Sequence, residues 1–249
     1  MTSPRATSTS DAPAFELEAF DGGRPVLEMP IVVGRTDWMT PLFRDEMAVV
    51  EINPYWNVPP SIAAAEVLPE AREDLDAFLA RGYEVLSGRG EDASVLDPRT
   101  VRWNDLDPEN LDLRFRQVPG PTNALGNIKF LFPNQYNVYL HDTPADRAFA
   151  ETERALSHGC VRVSRPLDLA AWVFAHEDGW DRARVEEVID SGVHTAVALD
   201  EPIPVYILYW TAYVEDGEPQ FRDDIYGIDA ALEESLETRT AAGRQRVAG

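Results

Sequence analysis

The chain has one cysteine, Cys160, preceded by Ser157-His158-Gly159 and followed by Val161-Arg162-Val163. A lone thiol is by default a small buried hydrophobe, but this one stands between a glycine and a charged strand face. In extended backbone, side chains alternate between faces. Cys160 and Arg162 therefore share one side, and Val161 and Val163 take the core side. Upstream, the same period puts Tyr139 and His141 together, with Leu140 opposite. If the two segments are neighbouring strands, one cleft floor carries a thiol, a phenol, an imidazole and a guanidinium.

Those groups suit acyl transfer. A thiol is largely protonated at neutral pH and needs an imidazole to become a nucleophile, which assigns Cys160 and His141 as nucleophile and base. The tetrahedral oxyanion needs donors aimed at it. The Ser157–Cys160 turn supplies backbone N–H groups, Gly159 lets the main chain approach a ligand, and the Tyr139 hydroxyl is a further donor. Arg162 can grip a substrate carboxylate with both arms of its fork. Other readings stand beside these: Tyr139 as a packing aromatic, Arg162 as an ordinary ion-pair partner, and His158 as tuner of the site or holder of the turn. Asp142 reads as the residue that fixes the turn into Thr143-Pro144. His176 and His194 lie in polar surroundings and are expected to be solvated.

Stepping outward, 249 residues with 44% hydrophobic content allow one sizeable core, or one core with a smaller appended subdomain. Acidic residues outnumber basic ones 44 to 22, for a net charge of −22. That field repels nucleic acid and anionic lipid. It fits either a salt-adapted surface or simply an acidic protein. One cysteine excludes an internal disulfide and a cysteine-rich zinc site, and no metal or cofactor is called for. No apolar stretch approaches the roughly 20 residues of a membrane span. The opening MTSPRATSTS lacks the apolar segment of a secretory signal, so the chain as written carries no export address.

The elements that must position the site read as mainly β with flanking helices. Residues 1–12 are expected to be a disordered lead-in. A hairpin turns at Asp21-Gly22-Gly23 and continues over Val26–Val33, and Met47–Ile52 is a further strand. Residues 61–112 change character: Ser61 is expected to cap a short helix, and a second helix runs from Pro69 to a stop at Gly82. Strand signals return at Phe115 and Val118, at Ile128–Phe132 and at Gln135–His141. Pro133-Asn134 is expected to be a hairpin turn. Helices then run from Ser164 and Pro166 to Ala175, and from Asp181 to Ser191 with Gly192 as stop. Ile203–Val214 turns at Asp216-Gly217 and pairs with Gln220–Ile225. A tail over 231–249 is helical or disordered.

SHGCVR at Ser157–Arg162, together with YLHDTP at Tyr139–Pro144, closely resembles the YkuD-type catalytic domain of L,D-transpeptidases. NPYWNVP at Asn53–Pro59, PGPTNALGNIKFLFPN at Pro119–Asn134 and FRDDIYG at Phe221–Gly227 are similar to the larger periplasmic members of that family. The resemblance covers about 13–230. It implies a YkuD-like β-sandwich core with a helical capping subdomain inserted at 61–112, and a periplasmic or cell-envelope location. It also implies a two-step transfer. Cys160 attacks the carbonyl before the terminal D-alanine of a peptidoglycan tetrapeptide stem, and the side-chain amine of a second stem resolves the thioester into a 3-3 crosslink. By position in the motif, His141 is the base and Gly159 the adjoining turn. Tyr139 serves oxyanion or substrate contact, Arg162 and His158 stand at the substrate, and Trp56 is the cleft aromatic near the cap. Carbapenems acylate the family's cysteine, so covalent labelling is implied. The larger relatives carry upstream modules absent here, which makes an excised or shortened domain the expectation.

Four rivals remain. An L,D-carboxypeptidase differs only in letting water resolve the thioester. A non-catalytic wall-binding module would have no need for His141 and Cys160. A metallohydrolase would need ligand spacing that His176 and His194 do not offer, and a papain-like peptidase places its cysteine before its histidine.

Overall fold

The computed structural model describes residues 6–88, 93–215 and 217–236. The expected hairpin forms from β2 (Glu16–Asp21) and β3 (Arg24–Gly34), joined at Gly22 and Gly23, both with positive φ as the tight turn requires. It is preceded by β1 (Ala6–Asp11), which corrects the reading of residues 1–12 as a disordered lead-in. β1 pairs antiparallel with β2, and its inward side chains, Ser8 and Ser10, are buried. Hydroxyls on the core side carry no hydrophobic alternation, which is why ATSTSD reads as a polar tail. Residues 1–5 lie outside the described segments. After β4 (Phe43–Ile52) the chain leaves the main sheet.

The excursion corresponds to the expected cap, but it is a mixed α/β unit and not mostly helical. β5 (Trp56–Asn57) leads into α1 (Pro60–Ile62), which continues through a π turn over Ala63–Val67 into α2 (Leu68–Glu73). Ser61 is not the cap: Pro59 holds that position and α1 starts one residue earlier. The single helix expected from Pro69 breaks at Asp74, whose extended backbone ends α2 and whose carboxylate accepts from Ala77 N–H to start α3 (Leu75–Ala80). Gly82, at φ 75°, stops it as expected. Then β6 (Tyr83–Ser87), β7 (Ser94–Leu96) and β8 (Arg114–Gln117) join β5 in a four-stranded sheet of order β5-β8-β6-β7. The cap has its own core. Phe78 stacks on Tyr83 with centroids 4.8 Å apart, and Trp103 lies over Phe115 at 5.9 Å. Removing a ring as buried as Phe78 typically costs about 3–5 kcal/mol, so the cap is held by its own aromatic packing.

The main sheet resumes with β9 (Ile128–Leu131) and β10 (Leu140–His141). The expected strand from Gln135 is thus only two residues long. Pro133-Asn134 is not a two-residue hairpin turn, because Asn134 instead organises a longer loop, taking N–H groups from Tyr136 and Val138. β11 (Ala155–Ser157) and β12 (Val161–Val163) follow, then α4 (Pro166–Val173) and α5 (Arg182–Ser191). Asp181 caps α5 by accepting from Arg184 N–H at 2.8 Å, and left-handed Gly192 ends it. β13 (Thr195–Leu208) is the longest strand, and β14 (Ala212–Glu215) with β15 (Glu218–Phe221) makes the late hairpin. Gly217 lies at its turn; Asp216 falls outside the described residues. A last helix covers 228–236, and the rest of the expected tail is likewise outside them.

Nine strands form one sheet in the order β11-β3-β12-β10-β9-β4-β13-β1-β2, and β2 also pairs with β3. The sheet therefore closes on itself. The expected β layers belong to one continuous sheet. Phe130, Leu140, Val161 and Val163 point into its core, which α4 and α5 complete with Leu169, Phe174 and Val185. Among the described residues, no helix is long and apolar enough to cross a membrane.

Candidate active site

Register builds the site. β10 lies between β9, antiparallel, and β12, parallel: His141 faces Lys129 on one side and Arg162 on the other. Lys129 in turn faces Glu51 on β4. Glu51, Lys129, His141 and Arg162 thus form one row across four strands. Their neighbours Leu140 and Val161 are fully buried on the opposite face. The same parallel register brings Tyr139 beside Cys160. Above the row the cap leaves a cleft of about 840 Å³, lined by Cys160, His141, Tyr139, Arg162, His158 and Trp56. Gly159 sits behind this lining.

Tyr139 links the strands. Its hydroxyl is in hydrogen-bonding reach of the Cys160 thiol and of the Trp56 side chain, and burial raises its pKa well above that of a free phenol. It stays a protonated donor. Lys129 Nζ lies 4.5 Å from the centre of the Tyr139 ring and 3.2 Å from Glu51, so the cation holds the phenol in place.

His141 is 5% exposed. Its Nδ1 lies 2.5 Å from the carbonyl of Asp142, so Nδ1–H donates there and Nε2 keeps its lone pair. Burial, then the Arg162 and Lys129 cations, lower its pKa to about 3 despite the helpful carbonyl. The resting ring is neutral and able to accept a proton. Burial likewise pushes the Cys160 thiol up, partly offset by contact with Tyr139 and by the two cations. The sulfur points toward the carbonyl of Asn137 at 3.8 Å. The thiol and the imidazole that line this cleft are therefore both neutral at rest.

The lowered His141 pKa has a consequence for stability. Unfolded, the ring titrates near 6.5; folded, near 3. Below pH 6.5 the unfolded chain binds a proton that the folded chain refuses, so the folded state loses stability as pH falls toward 3. The loss is about 1.4 kcal/mol per pH unit. In denaturant titrations, the stability difference between the unaltered chain and His141→Gln should shift by about that amount per unit between pH 6 and 4. A difference independent of pH would contradict the buried, neutral ring.

The cysteine turn is pinned from behind. Ser157 Oγ accepts from Gly159 N–H at 3.1 Å and donates to the Cys160 carbonyl at 2.5 Å. Gly159 therefore spends its N–H inside the turn and is not an oxyanion donor. With φ at 103° it shapes the turn, and the Cys160 N–H has no backbone partner among the described residues. Thr40, 2% exposed, donates to the Gly159 carbonyl at 2.9 Å and accepts from Gly34 N–H at 2.8 Å. The Tyr226 hydroxyl donates to the Gly34 carbonyl at 2.6 Å. Through Tyr226, FRDDIYG is thereby tied to the cysteine turn from far along the chain.

Arg162 forms no ion pair among the described residues, although the charges of Cys160 and Glu66 act on it. It is free for a ligand carboxylate. His158 Nε2 lies 2.6 Å from Glu66 of the cap, with Trp38 edge-on at 4.9 Å. Trp56, on β5, packs toward Tyr83 at 6.4 Å and completes the cap wall. Asp142 fixes its turn as expected, accepting from Asn127 and Thr143 N–H groups, both at 2.7 Å. His176 and His194 are exposed and do not line the cleft; His194 packs on Tyr55 at 5.5 Å. Residue patterning missed Gly34, Thr40, Glu66 and Lys129. Of these, only Lys129 carried a signal: it is the single lysine in an acidic chain.

Residues 7–186 match the family described as YkuD, L,D-transpeptidase catalytic domain. A Haemophilus influenzae protein named "Putative L,D-transpeptidase" is 34% identical over 220 residues, covering 88% of this chain and 44% of its own length. The chain thus spans less than half of that relative. Among solved structures, an L,D-transpeptidase from Mycobacterium smegmatis aligns at 14% identity over 82% of this chain and 58% of its own, with a TM-score of 0.38. L,D-transpeptidase 3 from Mycobacterium tuberculosis, in complex with a faropenem-derived adduct, aligns at 12% identity over 82% and 61%, also at 0.38. The extent of the family match carries the assignment: the chain belongs to the YkuD family of L,D-transpeptidase catalytic domains.

Proposed function

We propose that the chain is a cysteine acyltransferase of the cell envelope that crosslinks peptidoglycan stems through a thioester on Cys160. One observation carries this reading. The only thiol shares a cleft with a buried neutral imidazole whose Nδ1 is locked by the Asp142 carbonyl, and it lies beside a phenol held as a donor. That arrangement supplies a nucleophile, a base in the right tautomer and an oxyanion donor.

In the first step the donor stem enters with a carboxylate on Arg162. Cys160 Sγ attacks the carbonyl before the terminal D-alanine, and His141 Nε2 takes the thiol proton. The oxyanion receives the Tyr139 hydroxyl and the Cys160 N–H. Collapse expels D-alanine, whose nitrogen takes the proton back from His141, and leaves the thioester. In the second step the side-chain amine of another stem attacks the thioester and forms the 3-3 crosslink. Membership of the L,D-transpeptidase family supports the substrate class.

The test is intact-mass spectrometry after exposure to a carbapenem. The expected result is one covalent adduct, lost in Cys160→Ala. A folded chain that takes up no adduct, or an adduct that persists in Cys160→Ala, would overturn the assignment. Incubation with tetrapeptide stems then reads the second step: crosslinked dimers support transfer to an amine, and tripeptide alone supports hydrolysis.

A further inference from the structure

The two flanks of Cys160 carry opposite charge. On the sheet side Lys129 and Arg162 stand on either side of His141. On the cap side, the π turn brings Glu66 into the cleft, where its carboxylate meets Nε2 of His158 at 2.6 Å, two residues before the thiol. A carboxylate only accepts, so Nε2 carries the hydrogen, and in the neutral ring Nδ1 is left with the lone pair. No hydrogen bond occupies that Nδ1 among the described residues. Glu70, further along the cap, is already paired with Arg81 at 2.6 Å. Both members of the Glu66–His158 pair remain reachable, with side chains 49% and 20% exposed.

We infer that Glu66 and His158 form the acceptor subsite: the carboxylate draws in the ammonium of a primary amine, and the imidazole takes its proton as the amine attacks the thioester. This rests on the reading of Cys160 as a thioester-forming nucleophile. The step balances. A C–N bond forms and the C–S bond breaks. Of the three ammonium protons, one stays on the amide nitrogen, one returns to the Cys160 sulfur and one passes through His158 to solvent. His141 is poorly suited to this duty, because it is almost fully buried and Arg162 beside it, which no carboxylate neutralises among the described residues, repels an arriving ammonium. The same guanidinium suits a donor carboxylate. The cleft therefore sorts its two substrates by charge, donor along the sheet and acceptor along the cap.

The experiment reads both fates of one acyl-enzyme. The full chain is incubated with a tetrapeptide donor and a diamino-acid stem as acceptor, and crosslinked and hydrolysed products are counted by mass spectrometry. Glu66→Gln keeps the shape and an oxygen for His158 but removes the charge. The ratio of crosslinked to hydrolysed product should fall by about tenfold, consistent with the loss of a hydrogen-bonded charge partner, and Glu66→Asp should restore part of it. An unchanged ratio would overturn the inference. A second reading needs no variant: in the unaltered chain the ratio should fall as ionic strength rises, since a partly exposed carboxylate is screened. A salt-independent ratio, or hydrolysis alone with every amine supplied, would also overturn it. Failure of the unaltered chain to form any acyl-enzyme would instead overturn the Cys160 reading, and this inference with it.

Discussion

Replacing His141 by asparagine should slow acylation of Cys160 by roughly 10²- to 10⁴-fold, the usual contribution of a positioned base. The expectation follows from the resting charges. The thiol is held protonated by burial, so it does not attack until something removes its proton. Tyr139, in reach of the thiol, is kept protonated, and Lys129 and Arg162 are cations, so none of these three takes its proton. Asparagine is the informative replacement because its amide N–H can still donate to the Asp142 carbonyl, preserving the turn while removing the lone pair. Stopped-flow acylation by a carbapenem gives the rate directly. With His141 titrating near 3, the unaltered chain should show no acid limb between pH 5 and 8. A His141→Asn rate close to that of the unaltered chain would mean that another group takes the proton.

Gly34→Ala should cost about 10²-fold in acylation, the penalty of displacing a reacting group by about 1 Å. A Cβ at this position would lie 2.0 Å from the Trp38 carbonyl oxygen, 2.8 Å from Thr40 N and 3.0 Å from Gly159 Cα. All three are backbone atoms, so no rotamer relieves the contact. Whatever moves is tied to the nucleophile, because Gly34 holds Thr40 and Thr40 holds Gly159. The crowding should also lower stability by about 1–3 kcal/mol, visible as a lower melting temperature. Gly22→Ala is the control: its positive φ strains an added side chain, but nothing lies within 4 Å of its added Cβ. Its strain is local and its acylation rate should match the unaltered chain. Equal rates for all three chains would show that the link from Gly34 to Cys160 does not govern the site.

Much of the site's face was legible because strands impose period two. Tyr139 with His141, and Cys160 with Arg162, project together for that reason alone, and Val161 and Val163 are core as expected. What local pattern could not give was pairing. The row from Glu51 to Arg162 draws on four strands, and nothing in the residues around Lys129 says that it will stand beside His141. Backbone partners were invisible for a related reason. The Asp142 carbonyl orients the imidazole, but a carbonyl is common to every residue, so only geometry distinguishes it. Thr40 and Gly34 act through contacts made across 119 and 6 positions of chain, and their surroundings carry no periodicity. In the cap, Tyr83 and Val85 alternate readably, yet β6 and β7 are short and follow a helical stretch, so the region reads as a mostly helical insertion with polar turns after Gly82. The break at Asp74 is chemical: a residue that prefers to cap helices interrupts one face of apolar residues.

The first described strand makes the chain's opening segment a seam. β1 lies between β13, which it meets in parallel, and β2, which it meets antiparallel. Trimming the protein at residue 13, a cut that looks harmless from the polar character of ATSTSD, would unzip both rows of main-chain hydrogen bonds at once. Two adhesive margins would then be exposed on a barrel that otherwise seals itself, inviting strands from other molecules to fill the gap.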